Sequence, residues 1–237
     1  MSNCSTLNVQ SSEVPMSNIP EIPICVIDFE GNRQSGIVEY GVVTLHGTEV
    51  AAVQTRLCAP IGTISDQDRA QHGITEETAE QEARFDAEWS YFADLREQGV
   101  FCAHSATIED GLLRSVWPYP RNSPNFAKEG EYTATWGPWL DTLQLYRNIY
   151  PQLSNFKLNN LIADFGLQTA LDELATSYCP EKRQRFHCAL YDAFASALLL
   201  KRLYTEPDLE PVSLHWLFMH SASTSTARDS MGQLDLF

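Results

Sequence analysis

The stretch Ile22-Pro-Ile-Cys-Val-Ile-Asp-Phe-Glu30 decides the fold, because it is one apolar run that ends in two acids. In a strand, Val26, Asp28 and Glu30 are two residues apart and therefore project from one face. A run this apolar predicts a central strand that is buried on both faces. The two carboxylates repel each other and are costly to desolvate unless a cation lies between them. Such oxygen ligands suit magnesium or manganese, although a strand that simply ends in a polar loop fits this stretch equally well.

Length and net charge restrict the class of protein. The chain has 237 residues, which predicts one domain of about 200 residues with tails. Its formal net charge of -15 argues against a protein that coats nucleic acid through bulk electrostatics. Residues 1–100 carry 5 Lys/Arg against 16 Asp/Glu, whereas residues 101–237 carry 11 against 15. A contact with a polyanion is therefore expected in the second half of the chain.

Cysteine usage and hydropathy predict the compartment. The six cysteines form no Cys-x-x-Cys pair and no zinc-site spacing, so we interpret them as reduced core residues of a cytosolic protein. The chain shows no signal peptide pattern, and no segment approaches the ~18 apolar residues of a membrane span. We therefore expect a soluble cytoplasmic protein without a membrane partner.

The pattern of the chain predicts a flexible polar leader over residues 1–20, a folded domain over residues 21–220 and a flexible Ser/Thr-rich tail over residues 221–237. The start of the domain predicts a meander of three strands, after which helices and short strands alternate. This order predicts a mixed α/β sheet flanked by helices. The predicted strands are Ile22–Glu30, Ile37–Leu45, Glu49–Leu57 and Val100–Ala103; the predicted helices cover about 66–72, 85–98, 105–116, 140 onward with breaks at Pro151 and Gly166, 189–204 and 211–220; residues 117–138 are predicted as a long surface loop.

A second acidic pair, Glu109 and Asp110, follows the strand that ends at Ala103. On a helix only one of these neighbours can face the acids of the first strand. Glu109 lies closer to the apolar stripe of Leu112 and Leu113, which favours it by a small margin as the inward acid. For either residue alone, a first-turn acid stabilised by the helix dipole is the default interpretation.

The third cluster is His187-Cys-Ala-Leu-Tyr-Asp192, at the start of the long predicted helix. Five residues at 100° each would place His187 and Asp192 about 140° apart within a helix. The two side chains can serve one centre only if His187 precedes the helix and Asp192 lies in its first turns. Asp192 falls on an apolar stripe, where a buried acid requires a partner; for His187 alone, a surface histidine is the simpler interpretation.

Together these residues predict a coherent chemistry. Asp28, Glu30, Asp192 and Glu109 (or Asp110) could hold two divalent cations, Mg²⁺ or Mn²⁺, that clamp the attacking and leaving oxygens of a phosphodiester. His187 would accept a proton from the attacking water, because its ordinary pKa is close to neutral pH.

These motifs resemble those of the DEDDh 3'–5' exonucleases of the DnaQ superfamily, over residues 22–204, with the exonuclease X-like proteins as the most similar group. The resemblance implies an RNase H-like fold. The matching segments are Val26-Ile-Asp-Phe-Glu30, His72-Gly-Ile-Thr75, Ala103-His-Ser-Ala-Thr-Ile-Glu-Asp-Gly-Leu-Leu113, Asp141-Thr-Leu-Gln-Leu145 and His187-Cys-Ala-Leu-Tyr-Asp192.

Two positions depart from the family pattern. Glu109 stands where the second motif usually has Asp, and Gly31-Asn32-Arg33 replaces the usual Thr-Thr-Gly that contacts the terminal nucleotide. The resemblance implies substrate contacts near the end of the first strand and around the second motif, with apolar side chains against the terminal bases. The implied substrate-binding residues are Phe29, Gly31, Asn32, Ile74, His104 and Ile108, of which Phe29, Ile74 and Ile108 are equally compatible with plain core positions.

The end of the chain carries a separate signal, the pentapeptide Gln233-Leu-Asp-Leu-Phe237. It resembles the bacterial sliding-clamp-binding motif at every position, namely Gln233, Leu234, Asp235, Leu236 and Phe237. An apolar pair after a polar linker suits a peptide that orders on entering a hydrophobic pocket.

The sequence thus predicts a nucleoid-associated exonuclease that releases nucleotides from DNA, most readily from single-stranded 3' ends, and that is tethered to the sliding clamp. Tethering raises the effective concentration at the primer end. Two alternatives remain open: an exoribonuclease of the same family, and a catalytically inactive clamp-binding accessory protein.

Overall fold

A five-stranded mixed sheet forms the centre of the protein in a computed structural model that describes residues 20–209 and 211–222. The strand order is β3-β2-β1-β4-β7; β1, β2 and β3 form an antiparallel meander, whereas β4 and β7 continue parallel to β1. The strands are β1 Ile24–Asn32, β2 Gly36–His46, β3 Glu49–Leu57, β4 Val100–Ala103, β5 Ser123–Pro124, β6 Tyr132–Thr133 and β7 Trp139–Asp141; the helices are α1 Asp66–His72, α2 Glu76–Ala79, α3 Trp89–Gln98, α4 Ala106–Val116, α5 Thr142–Ile149, α6 Leu158–Asp164, α7 Gln168–Tyr178, α8 Ala189–Thr205 and α9 Leu214–Ser221.

Strand β1 is buried on both faces, as its apolar sequence predicts. On one face, Val26 packs in a core formed with α5 to α8. On the other face, Ile27 and Phe29 pack in an aromatic core with α3 and the second half of α4. Because each face of the sheet buries its side chains under helices, the mixed α/β fold predicted from the order of the elements is confirmed.

The strand β7 was missed by the sequence pattern, which predicted helix from Leu140 onward. Residues Trp139–Asp141 instead pair in parallel with β4, and the helix begins at Thr142. The segment 117–138 was expected to be a loop, but it contains the short antiparallel pair β5–β6. Three-residue and two-residue strands have no periodicity of their own, so only their pairing partners define them.

Arg96 anchors this long segment from inside the protein. Its side chain is 1% exposed, and its guanidinium donates to the carbonyl oxygens of Thr135, Pro124 and Gly137 at 3.3, 2.9 and 2.7 Å. A buried guanidinium without these acceptors would be costly. The segment is therefore held on α3 along part of its length.

Gly41 sets the distance between the sheet and α8. A Cβ placed on Gly41 would lie 2.3 Å from the backbone nitrogen of Leu190, in the first turn of α8. The backbone of β2 and the start of α8 are therefore in direct contact. This contact fixes where the first turn of α8 lies relative to the end of β1.

The remaining general expectations concern cysteines and membrane spans. Within the described residues, Cys25, Cys58, Cys102, Cys179 and Cys188 are buried and free. None of the helices in residues 20–209 and 211–222 is long and apolar enough to cross a membrane. The predicted leader, apart from Pro20, and the predicted clamp-binding motif lie outside the described residues.

Candidate active site

Two acids at the end of β1 lie next to the start of α8. In the antiparallel pair of β1 with β2, Asp28 is opposite Gly41 and Glu30 is opposite Glu39. Opposite residues project from the same face of a sheet. Because α8 rests on Gly41, its first turn lies beside Asp28, on the face that also carries Glu30.

His187 precedes α8 and Asp192 lies in its first turn, which is the arrangement that allows both side chains to serve one centre. His187 lies two residues before α8, with φ of 63°, and its backbone N–H donates to Oδ2 of Asp192 at 3.0 Å. Potential ligand atoms of Glu30, His187 and Asp192 all lie within 4.8 Å of one another. The left-handed backbone at His187 turns the chain into the helix, so one centre can receive both side chains.

Of the adjacent acids on α4, Glu109 is the one that joins this cluster. Its side chain is buried, and its Oε2 has no hydrogen-bond partner. Asp110 points elsewhere: its Oδ1 accepts from Nε1 of Trp139 at 3.1 Å, and its Oδ2 lies 3.7 Å from Nη1 of Arg114. The inward orientation expected for Glu109 is therefore the one observed.

The electrostatics of the cluster favour protonated carboxyls in the absence of a cation. Burial, followed by the neighbouring carboxylates of Glu109, Asp192 and Glu30, raises the pKa of Asp28 well above its usual range. Burial is also the main cause that raises the pKa of Glu30 and of Glu109 to about 8, and that of Asp192 to about 7. A buried cluster of acids whose pKa values are raised in this way is a site for positive charge.

A fifth buried acid, Glu39, is neutralised by the chain itself. Its Oε1 accepts from Nε of Arg183 at 2.8 Å, and its Oε2 accepts from Nη2 of Arg183 and from the backbone N–H of Ala189 at 2.8 Å. Nη1 of Arg183 also donates to the carbonyl oxygen of His72. This network ties the segment before α8 to β2 and to the end of α1.

The end of α1 also reaches His187 directly. Nε2 of Gln71 lies 3.0 Å from Nδ1 of His187, and Nη1 of Arg185 donates to the carbonyl oxygen of Gln71 at 3.1 Å. Partial burial and the positive charge of Arg185 lower the pKa of His187. The imidazole is therefore held by a neighbour and favoured in its neutral form.

Asp141 joins the two helices that start at the carboxyl ends of β4 and β7. Its Oδ1 and Oδ2 accept from the backbone N–H groups of Ser105 and Ala106, both at 3.1 Å. Its Oδ1 also accepts from Leu143 and Gln144 at 2.9 and 3.3 Å. Ser105 forms no side-chain cap for α4; Asp141 caps both α4 and α5 instead.

Sequence reasoning did not identify Glu39, Arg183, Gln71 or Asp141 as residues that shape the site. Glu39 carried the clearest signal, because it is a charged residue within the otherwise apolar stretch of β2. A charge in such a strand indicates a buried partner. Neither the position of Arg183 nor that of Gln71 in the sequence indicates which acid or imidazole each one meets.

Three of the expected substrate contacts are corrected by the structure. Ile74 is 2% exposed and packs with Val38, and Phe29 packs edge to face with Phe85. The ring nitrogens of His104 lie 2.9 Å from Oγ1 of Thr142 and 2.9 Å from the carbonyl oxygen of Phe156. These side chains are engaged in the core or in internal hydrogen bonds and do not present themselves to a ligand.

The other three expected contacts border one surface depression. Ile108 is 60% exposed, and with Gly31, Asn32 and Leu112 it lines this depression beside the end of β1. Asn32 also shapes the local turn, since its Oδ1 accepts from the backbone N–H of Ser35 at 3.0 Å. A contact from Gly31 or Ile108 to a ligand is thus open on steric grounds.

The cluster fits divalent cations by its chemistry. Oε2 of Glu109 and Oδ1 of Asp192 are buried without a hydrogen-bond partner, although buried polar atoms are normally satisfied. Hard carboxylate oxygens with one imidazole nearby suit Mg²⁺ or Mn²⁺. The donor set is therefore compatible with the metal that the sequence predicts.

The fold is similar to those of several solved nucleases. Exonuclease X in complex with 5' overhanging duplex DNA aligns with a TM-score of 0.59 and 20% identity, over 84% of this chain and 99% of that chain. A 3'-exonuclease with histone mRNA stem-loop gives 0.54 and 20%, over 82% and 67%. E. coli exonuclease I with a dT13 oligonucleotide gives 0.53 and 15%, over 78% and 41%. At these identities the likeness confirms the RNase H-like exonuclease fold.

Sequence comparison gives the family. The PolC-type DNA polymerase III of Halalkalibacterium halodurans is 25% identical over 179 residues, which cover 76% of this chain and only 11% of the polymerase. The model of the exonuclease family RNase_T matches residues 25–200, a range that contains all four clustered acids and His187. The chain therefore belongs to this exonuclease family.

Proposed function

We propose that this protein is a DEDDh-type 3'–5' exonuclease that hydrolyses phosphodiester bonds at DNA 3' ends with two divalent cations, Mg²⁺ or Mn²⁺. The observation that carries the proposal is a cluster of Glu30, Asp192 and His187, close enough to Asp28 and Glu109 for their charges to interact, with two buried carboxylate oxygens left without partners. A buried cluster of four mutually repelling acids is costly to fold, and cations would offset that cost.

Each residue has a distinct part in the proposed reaction. Asp28, Glu30, Glu109 and Asp192 would hold the cations, which when bound would supply positive charge to the attacking and leaving oxygens. His187 accepts a proton from the attacking water at Nε2. This role requires a proton on Nδ1, and the side-chain amide of Gln71, 3.0 Å away, accepts that proton when its oxygen faces the ring. The lowered pKa of His187 keeps the imidazole ready to accept.

The choice of DNA rests on the relatives. Two of the similar structures hold DNA, and the curated relative is a DNA polymerase. A third similar structure recognises an mRNA stem-loop, which keeps an exoribonuclease as the second candidate. Clamp tethering rests on the terminal pentapeptide Gln233–Phe237 alone.

The decisive experiment is digestion of single-stranded DNA, duplex DNA and RNA, each labelled at the 3' or the 5' end, with Mg²⁺ or Mn²⁺. The wild type is compared with Asp192→Asn. We expect immediate loss of a 3' label, a ladder of shortened products that keep a 5' label, and abolition of both by the substitution. The matched control is Asp164→Asn, an exposed acid at the end of α6, which should keep full activity.

Other outcomes would redirect the proposal. Loss of the 5' label first would contradict the polarity, and faster shortening of RNA than of DNA would favour the exoribonuclease. Failure to shorten any substrate would favour the inactive accessory protein.

Clamp binding by the tail is tested separately. A column that carries an immobilised sliding clamp should retain the wild type and should not retain the double variant Leu236→Ala/Phe237→Ala. Both proteins should digest free single-stranded DNA equally.

A further inference from the structure

A groove crosses the exposed face of α4 and leads away from the acid cluster. Its first depression begins at Gly31, directly after Glu30, and continues over Thr107, Ile108 and Gly111. On the helix, Thr107 and Gly111 are four residues apart and share a face. Glu109 lies on the opposite side of the helix, so α4 separates the acid cluster from the floor of the groove.

Two arginines line the middle of this groove. Arg33, from the turn after β1, and Arg114, from α4, border one depression together with Gly111 and Pro118. The side chain of Arg114 is 57% exposed, and its one ion pair within the described part of the chain is a 3.7 Å contact with Asp110. In a chain with a net charge of -15, two exposed guanidinium groups in one depression offer a local site for phosphate.

The groove ends in a cavity of about 440 Å³. Its walls include Arg114, Tyr119, Pro138 and Trp139, and the Asp110–Trp139 hydrogen bond described above braces one side. Tyr119 is 67% exposed, so its ring is free to meet a planar partner. The volume lies in the range of small-ligand pockets, about 300–1,000 Å³.

Exposed apolar side chains concentrate along this surface. Five large ones are exposed among the described residues, and three of them border the groove or the depression that adjoins it at Arg33: Ile61, Ile108 and Tyr119. Guanidinium groups beside an exposed aromatic ring are typical of surfaces that bind single-stranded nucleic acid, where phosphates meet cations and bases stack on aromatic side chains.

We propose that this α4 groove binds the unpaired strand that leads to the scissile 3' end, with phosphates at Arg33 and Arg114 and one base stacked on Tyr119 in the cavity. The proposal rests on the exonuclease function above and adds a second base-binding position to it. Ile108 and Arg114 are six residues apart, about 9 Å along a helix, which matches two or three stacked nucleotides at about 3.4 Å each. Tyr119 lines only the cavity at the far end of the groove, so a dinucleotide that starts at the acid cluster is too short to reach it, whereas an octanucleotide reaches it.

The test compares Tyr119→Ala with Tyr132→Ala. Tyr132 is an exposed tyrosine of the same segment, at 66%, and does not line the cavity. Binding of fluorescent thymidine dinucleotide and octanucleotide is measured by anisotropy with Mg²⁺ in an Asp192→Asn background, which protects the probe from hydrolysis. We expect Tyr119→Ala to weaken octanucleotide binding about 5- to 150-fold, the range for one lost stacking contact, and to leave dinucleotide binding unchanged. Tyr132→Ala should alter neither.

A second pair of variants tests the phosphate contacts. Arg114→Gln should reduce the slope of log affinity against log salt for the octanucleotide by about 0.7, the value for one phosphate on a single strand. Arg121→Gln is the control, because Arg121 is exposed but pairs with Asp94 and Glu97 away from the groove. It should leave the slope unchanged.

The outcomes separate this inference from the proposed function. If the wild-type enzyme shortens DNA but Tyr119→Ala and Tyr132→Ala bind the octanucleotide equally, the groove is overturned and the exonuclease stands. If Tyr119→Ala weakens both probes to the same extent, the ring acts at the terminal nucleotide and the groove path is overturned. If Tyr119→Ala selectively weakens octanucleotide binding but the wild-type protein shortens no substrate, the groove is supported and the exonuclease function is overturned.

Discussion

Two groups of buried carboxylates lie near the same end of the sheet and differ in whether their oxygens have hydrogen-bond partners. Glu39 and Asp141 have all their carboxylate oxygens engaged, by Arg183 and by backbone N–H groups. In the second group, Glu109 and Asp192 each keep one buried oxygen without a partner. The chain therefore satisfies the acids that hold elements together and leaves open those that meet at the centre. Burial alone does not distinguish a structural acid from a functional one, but hydrogen-bond satisfaction does.

The largest expected effect is the loss of activity on substitution of Asp192, one of the two acids with an oxygen that lacks a hydrogen-bond partner. Asp192→Asn should lower kcat by more than about 100-fold, because even the residues that support metal ligands are worth about 10- to 100-fold. It should not lower the Tm in EDTA, since it removes one of several repelling charges. Activity assays and thermal unfolding check the two parts. A loss of stability as large as the one expected below for Glu39→Gln would show that Asp192 is a structural acid.

Substitution of Glu39, whose oxygens all have hydrogen-bond partners, should instead reduce stability. Glu39→Gln leaves the largely buried Arg183 without its counter-charge, which costs up to about 3–5 kcal/mol in the free energy of unfolding. Denaturant titration measures this loss. Glu77→Gln, at an exposed position of α2, serves as the control and should change stability by less than about 0.5 kcal/mol. Equal stability of the two variants would mean that the Glu39–Arg183 pair does not hold the segment before α8.

The double cap at Asp141 should have a smaller effect. Asp141→Ala removes the acceptor for the first N–H groups of both α4 and α5, at about 1 kcal/mol for each cap, and so should destabilise the protein by about 2 kcal/mol. Ser213 caps α9 alone, through a 3.1 Å bond from the N–H of Trp216. Ser213→Ala should therefore cost about half as much by the same denaturant titration, and an equal loss would argue against a shared cap.

The last prediction concerns pH and metal. Burial raises the pKa of Glu30 and Glu109 to about 8 and that of Asp192 to about 7, whereas unfolded carboxyls titrate near pH 4. Between these values the folded protein binds more protons than the unfolded chain, so stability falls as pH rises from about 5 to 8. In EDTA the Tm should decline over this interval, and added Mg²⁺ should raise the Tm more at pH 8 than at pH 6.

Asp192→Asn provides the internal control for this titration. With one raised pKa removed, the decline of the Tm between pH 5 and pH 8 should become shallower, and the Mg²⁺ effect at pH 8 should shrink. A Tm in EDTA that rises over this interval in the wild type would contradict the raised pKa values.

The sequence predicted the local geometry of the clustered acids and His187 better than it predicted the residues that hold them in place. The alternation of β1 placed Asp28 and Glu30 on one face, and the helical angle between His187 and Asp192 required the turn that the structure shows at His187. Both arguments use local geometry, which the sequence determines directly. The inward orientation of Glu109 followed from its distance to an apolar stripe, which is also local.

Long-range partners could not be predicted in this way. Glu39 and Arg183 are 144 residues apart, and β7 exists only because it pairs with β4. His104, expected at the substrate, turns inward because Thr142 and Phe156 happen to lie within reach of its ring. Each of these outcomes depends on which elements become neighbours, and no periodicity in a single segment carries that information.

Gly41 has a consequence for how mutations in this protein will be interpreted. It has no functional group, yet any side chain at this position would collide with the backbone of Leu190 and push the first turn of α8 away from β1. Asp192 and His187 would move with that turn. A genetic screen for lost nuclease activity should therefore recover substitutions of Gly41 together with those of the acids. Gly41 takes no part in the chemistry, and it matters only because it lacks a side chain.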